Sequence, residues 1–362
     1  MTTLRKKAGQ LLIAGLEACE LSAAERSWLK TIQPGGVILF RRNIEEAQQT
    51  YRLLAEANSF FDAPLLRCVD VEGGLVDRLR DVVAPMPSQA AVAATGNRAL
   101  YRKHGKLIGR EAAVLGFNVV LAPVLDLALP PSRPVMRSRT YFGRAVQVIA
   151  YAEAFLDGLE AAQIVGCGKH FPGLGGGNLD SHLATPVIDR DWETLWSKDI
   201  LPYRSMKELL PMIMVSHAIY PEVDEGKPAS ISPRWIRDVL VKRMKYRGLI
   251  ISDDMEMGGI LMQVSIEEAA VQAVLAGTHL IEVCKDPTLL HRAFEALLAE
   301  AERSEAFRRA IAQAARKVFQ FKRARLTSKM NLSPKPSQIE HLRLQITRFR
   351  ERLPEPVAEG AG

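Results

Sequence analysis

Cysteine is scarce in this chain: there are four in 362 residues, Cys19, Cys68, Cys167 and Cys284, widely spaced and with no C-x-x-C pair among them. That argues against a disulfide framework. With three of the four inside apolar runs, it predicts reduced core thiols of a cytoplasmic protein. No apolar run reaches the length of a membrane span, and there are no low-complexity tracts. The opening "MTTLRKKAGQLLIAGLEAC" sets a basic run before apolar residues, as a secretion signal does. Its apolar stretch, Leu11 to Leu16, is too short for one, and Glu17 stands where a small uncharged residue is needed, so it reads as a first core strand. Also lacking is any aromatic-interleaved basic patch or nucleic-acid motif. The formal net charge of +7, concentrated after about residue 302, therefore reads as solvated helix faces and predicts neither a nucleic-acid nor a membrane partner.

What is present is the composition of a soluble enzyme-sized protein, 48% hydrophobic and 25% charged, with ample material for a buried core. Short apolar runs recur: "QLLIAGL", "GGVILF", "LLRCVDVEGG", "NVVLAPVLDLA", "IVGCGKHF", "MIMVSHAIY", "GLIISDDMEM" and "THLIEVC". Nearly continuous apolarity, rather than alternation, suits parallel strands covered on both faces. Between them lie segments of helical period such as "NRALYRKHGKLIGREAAVLG" and "SIEEAAVQAVLAG", several ending at glycine, the usual C-cap. Roughly eight strand-then-helix units predict an α/β fold, a single-domain (β/α)₈ barrel, with a doubly wound open sheet as the weaker alternative. The expected division is a barrel over residues 1–325 and a linker with a basic helical tail over 326–362, the helix itself spanning 338 to 352.

In a barrel the active site lies at the C-terminal ends of the strands, and polar residues collect there. Strand three ends in Asp70-Val71-Glu72-Gly73-Gly74, with Arg78 shortly after. Strand four ends at Asp126, and its loop carries Arg137 and Arg139. Strand five ends in Lys169-His170, strand six in His217 and strand seven in Asp253-Asp254. Any one of these could be a cap or an ion-pair partner; recurrence at the same end of nearly every strand points to a site. Alternation along strand seven predicts one carboxylate facing the barrel mouth and the other packed beneath a helix on a buried donor.

The stretch "GKHFPGLGGGNLDSH", residues 168 to 182, places Lys169 and His170 on a strand end. Gly173, Gly175, Gly176 and Gly177 then predict a permissive, movable loop. That loop carries Asp180-Ser181-His182. A carboxylate two residues before a histidine can accept its ring N–H and fix the tautomer, leaving the other nitrogen to handle a proton; a cap followed by a surface histidine is the competing reading.

Taken together, "KHFPG" with its Gly-rich loop and "DSH", "DVEGG", R-x-Y at Arg139 to Tyr141 and "SDDMEM", in this order, resemble glycoside hydrolase family 3, in its single-domain β-N-acetylglucosaminidase branch, over roughly residues 5 to 290. The resemblance implies a retaining two-step hydrolysis with Asp253 as nucleophile and His182 as acid/base, oriented by Asp180. It implies that Asp70, Arg78, Arg139, Lys169 and His170 bind a terminal GlcNAc. The implied substrate is a GlcNAc–anhydromuramoyl cell-wall fragment, with or without peptide, in a cytoplasmic enzyme that is a monomer or weak oligomer. No metal or cofactor is expected. The chain departs from the family pattern at Leu174, often histidine, Val71, often glutamine, and Leu75, often arginine. Three rivals remain: a metal-dependent barrel hydrolase, for which an H-x-H pair is missing and Lys169 would repel the cation; a two-domain family 3 β-glucosidase or xylosidase, for which there is no room after residue 290; and a non-catalytic sugar-binding barrel.

Overall fold

The computed structural model describes residues 3–180, 184–326, 330 and 332–354. Eight parallel strands close a barrel: β1 (Leu12–Gly15), β2 (Gly36–Leu39), β3 (Leu66–Val69), β4 (Val119–Val120), β5 (Val165–Phe171), β6 (Met212–Val215), β7 (Leu249–Asp254) and β8 (Leu280–Val283). Each pairs with its neighbours in chain order, and β1 pairs with β8 through Leu12–Ile281 to Ala14–Val283. Every strand falls in one of the apolar runs, and the open-sheet alternative is excluded by closure.

Alternation decides which side chains fill the barrel. Leu66 and Cys68 on β3, Val165 and Cys167 on β5, Leu249 and Ile251 on β7, and Leu280 on β8 form the inner apolar cluster, capped from below by Val318. Intervening residues such as Val69, Ile250, Ile281 and Val283 pack outward against the helices. Continued by steps of two, the inward face of the odd strands reaches Asp70, Lys169 and Asp253 at the C-terminal rim.

The opening basic run is a helix, α1 (Leu4–Gly9), and the expected first strand follows it. Crossover helices include α2 (Ala23–Ile32), α3 (Ala47–Asn58), α4 (Arg98–Val114), α5 (Ala145–Ala161), α6 (Ile266–Ala276) and α7 (Pro287–Arg303). Their ends are chemically marked. Ser22 and Glu25 form a capping box on α2, and Ser265 caps α6, which stops at Gly277 in the left-handed conformation. Helix α8 (Glu305–Arg325) closes the bottom of the barrel, where Lys322, 1% exposed, donates to Gln10 Oε1 at 2.9 Å.

The tail helix, α9, runs Pro336–Arg350, starting and ending two residues earlier than expected, because proline is well tolerated in a first helical turn. It is docked rather than solvated all round. Ile346 and Phe349 are fully buried, Phe349 stacks on His104 of α4, and Arg343 Nε donates to the Val83 carbonyl at 2.8 Å. No helix among the described residues is long and apolar enough to cross a membrane. Cys68, Cys167 and Cys284 are buried free thiols, whereas Cys19 is half-buried.

Candidate active site

The C-terminal strand ends surround a cavity of about 240 Å³. Asp70, Arg78, Arg139, Lys169, His170, Asp180 and Asp253 all border it. His182, the expected acid/base, and Ser181 lie outside the described residues.

The cations are held by a carboxylate whose role the sequence did not disclose. Glu72, on the Val71–Gly73 strand just past β3, accepts from Arg139 Nε at 2.8 Å and Nη2 at 3.0 Å, a bidentate pair, and lies 2.6 Å from Lys169 Nζ. Lys169 also donates to Asp70 Oδ1 at 2.8 Å. Burial alone would raise the Glu72 carboxyl, but Arg139 and Lys169 overcome it and hold the group well below the usual range. Burial likewise works against the Lys169 ammonium, which Asp70 and Glu72 keep protonated well above its usual range. The lattice is charged and pre-set.

His170 is fixed from both sides. Nδ1 lies 2.6 Å from Asp126 Oδ2, and Nε2 lies 3.2 Å from Arg139 Nη2. Arginine has only donors, so Nε2 accepts and the ring proton sits on Nδ1, donated to Asp126. Asp126 also accepts the backbone N–H of Leu174 at 2.7 Å, tying the Gly-rich loop to the segment after β4, which ends at Val120 and not at Asp126 as expected. Leu174 itself borders the cavity, so the departure from the family's frequent histidine falls inside the site. Val71 is buried, and Leu75, 45% exposed, lies between the paired segments Val71–Gly73 and Val76–Asp77. Arg78 approaches the Phe40 ring, its guanidinium carbon 5.7 Å from the ring centre.

The loop glycines have a second reason beyond freedom. A Cβ on Gly175 would lie 2.6 Å from the Leu127 carbonyl, and one on Gly176 would lie 2.6 Å from Arg190 Cδ, so close packing itself requires glycine there.

At the end of β7, both Asp253 and Asp254 border the cavity, where strict alternation predicted only one. The β7–β8 register shifts between Ile251 and Asp254, which relaxes the alternation locally. Asp254 accepts the part-buried Glu256 N–H at 3.0 Å rather than the fully buried donor expected, and desolvation still pushes its carboxyl up to about 7. Asp253 Oδ1 accepts from the Asp254 N–H at 2.9 Å. His217 bonds to this turn. Its Nε2 lies 2.9 Å from the Asp254 carbonyl and its Nδ1 lies 2.7 Å from Ser230 Oγ, so Nε2–H donates and Nδ1 accepts.

The sequence description "Glycosyl hydrolase family 3 N terminal domain" matches residues 3–321. The chain belongs to that family. A β-hexosaminidase of Idiomarina loihiensis is 33% identical over 279 residues, which cover 76% of this chain and 84% of the relative. Among solved structures, a family 3 β-N-acetylglucosaminidase from Paenibacillus sp. superposes with a TM-score of 0.87 at 32% identity, covering 97% of this chain and 69% of that one. Native NagZ from Neisseria gonorrhoeae gives 0.72 at 28% identity, covering 85% and 97%. The expectation of a NagZ-type family 3 glycoside hydrolase on a (β/α)₈ barrel is borne out.

Proposed function

We propose that this family 3 glycoside hydrolase is a retaining β-N-acetylhexosaminidase that removes a terminal GlcNAc through a covalent glycosyl-enzyme on Asp253. The observation that carries the reading is the position of Asp253: a carboxylate at the rim of β7, bordering the same cavity as Asp70, Arg78, Arg139, Lys169 and His170. Those five bind the sugar. The ammonium and guanidinium groups donate to its hydroxyls and acetamido oxygen, and Asp70 accepts from them. The β-hexosaminidase relatives support the choice of sugar.

In the first step an Asp253 oxygen attacks the anomeric carbon as the glycosidic C–O bond breaks, and protonated His182 delivers its proton to the departing oxygen. In the second, His182 takes a proton from water, the water oxygen attacks the anomeric carbon, and the Asp253 carboxylate leaves. Asp180 orients the imidazole, as the Asp-x-His spacing suggests. The natural substrate in this reading is a GlcNAc linked to an anhydromuramoyl sugar, with or without peptide, in the cytoplasm. Buried free thiols agree with a reducing compartment. The catalytic unit is residues 1–325, with 326–362 as linker and basic helix, and the chain works as a monomer or weak oligomer without nucleic acid or membrane.

The test is a panel of aryl β-glycosides differing only at C2 and C4, with Asp253→Ala as control. The N-acetylglucosaminide should be the preferred substrate. Asp253→Ala should remove at least ~10³-fold of kcat without loss of fold, and a 2-fluoro glycoside should label Asp253. Labelling of Asp254 instead would transfer the nucleophile to its neighbour.

A further inference from the structure

One acid of this site has no place in the proposed chemistry. Glu282 lies on β8 between Leu280 and Cys284, two side chains of the inner barrel cluster, whereas its neighbours Ile281 and Val283 pack outward. Period two therefore turns Glu282 into the barrel. It borders the cavity together with Asp70, Lys169, Asp253 and Cys284 and is only 2% exposed. Its backbone is locked to β7 on either side of Asp253: its N–H donates to Ser252 Oγ at 3.1 Å, and its carbonyl accepts the Met255 N–H at 2.9 Å. Among the described residues its Oε1 has no hydrogen-bond partner, and its Oε2 accepts only a long, weak bond from Cys284 Sγ at 4.0 Å.

A buried carboxyl oxygen with no partner costs stability and is the exception in native proteins, so it needs a reason. Packing supplies no strong donor among the inner-cluster side chains below it, such as Cys68, Cys167 and Ile251, which are apolar or thiols. The cavity does supply one. We propose that Glu282 is a specificity-determining residue that reaches up from the cavity floor to hydrogen-bond a hydroxyl of the terminal sugar. The inference rests on the glycosidase reading given above. Burial first, and then the negative charge of Asp70, Asp253 and Asp254, hold the Glu282 carboxyl well above its usual range. A carboxyl in its protonated form can both donate through O–H and accept through C=O. A hydroxyl, which does both, is its natural complement, and an ionised acid beside the nucleophile would only repel charge. A site built to bond a hydroxyl rejects the analogue that lacks it, because its own polar group is then left buried and unpaired.

The experiment measures kcat/KM for wild type, Glu282→Gln and Glu282→Leu on the nitrophenyl β-N-acetylglucosaminide and on analogues lacking the 3-, 4- or 6-hydroxyl one at a time. Melting temperatures are recorded for each protein. Glu282→Leu should lose ~10- to 100-fold on the parent glycoside yet match wild type within about 3-fold on the one analogue whose missing hydroxyl is the partner. Glu282→Gln, neutral and of the same length, should stay near wild type. If Glu282→Leu does not fold, Glu282→Met takes its place. A loss equal on all four substrates, no loss on any, or a Gln variant as impaired as the Leu variant overturns the assignment while leaving the glycosidase reading intact. A wild-type enzyme that hydrolyses none of the glycosides overturns both.

Discussion

Glu72 Oε1 lies 2.6 Å from Lys169 Nζ, and neither side chain is more than 3% exposed. A single carboxylate thus neutralises much of the charge of two cations that face the cavity, the buried Lys169 and the half-buried Arg139. Removing one member of such a set leaves the others uncompensated, which typically costs about 3–5 kcal/mol. Glu72→Gln should therefore melt well below wild type and lose at least ~100-fold in kcat/KM, because Arg139 and Lys169 lose their fixed orientation. Because the Glu72 carboxyl is held below the usual range, its contribution is complete above the ordinary glutamate range and fails only in acid. The deficit of the variant should be constant from pH 5 to 8. A variant with wild-type kinetics would mean the cations are positioned by Asp70 and the backbone alone.

Lys322 gives the opposite pH signature. Burial at the bottom of the barrel lowers its ammonium from 10.5 to about 7, so between those values the unfolded chain binds a proton that the folded chain does not. The penalty for burying this lysine is small at pH 10, grows as pH falls and levels off below about pH 7, where it reaches on the order of a few kcal/mol. In Lys322→Met the lost hydrogen bond to Gln10 is a pH-independent term. The melting temperature of Lys322→Met relative to wild type should rise steadily from pH 10 to pH 7. A flat difference would show that the ammonium keeps its usual proton affinity in the fold.

Much of this architecture is legible in the sequence, and what is not is hidden for physical reasons. The eight apolar runs mark the eight strands because parallel strands are apolar on both faces, a local property. The cavity residues on β3, β5 and β7 follow from period two. The partners of those residues do not, because Glu72 meets Arg139 and Lys169 only after the barrel brings together residues 67 and 97 positions apart. The glycines of the 173–177 loop were readable as glycines, but whether they serve motion or close approach depends on Leu127 and Arg190, far off in sequence or on the next segment. Glu282 was visible as a lone acid inside "THLIEVC". Only the side it faces gives it meaning.

The tail helix α9 lies beyond the residues matched by the family description, yet it seals His104 and braces the segment around Val83 that follows Arg78. Ile346 and Phe349 alone bury side chains worth about 1.5–3 kcal/mol each, an upper range set by the extended-chain reference. A chain ending at Leu326 should lose on the order of 3–6 kcal/mol of stability, read as a drop in melting temperature. Its KM should rise more than its kcat falls, since the braced segment follows Arg78, proposed to bind the sugar, and not Asp253, the proposed nucleophile. Melting and kinetics identical to the full chain would reduce α9 to a passenger.

The remaining prediction concerns His182, whose role rests on resemblance and on the Asp180-x-His182 spacing. If it is the acid that protonates the departing oxygen, its loss should be severe for a sugar leaving group, which needs that proton. It should be mild in the first step for dinitrophenolate, which departs as a stable anion. The second step still needs His182 as base, so in His182→Ala with the dinitrophenyl substrate the Asp253 glycosyl-enzyme should accumulate. Azide, which attacks without deprotonation, should restore turnover and yield a glycosyl azide. Asp180→Asn should show a weaker form of the same pattern, because it removes the group that orients the imidazole and not the imidazole itself. Filling the loop should act differently: Gly175→Ala and Gly176→Ala meet Leu127 and Arg190 at 2.6 Å and should lower kcat for both leaving groups alike. Losses in His182→Ala that are equal for both leaving groups, with no azide rescue, would remove His182 from the chemistry and leave the loop a packed turn over the sugar.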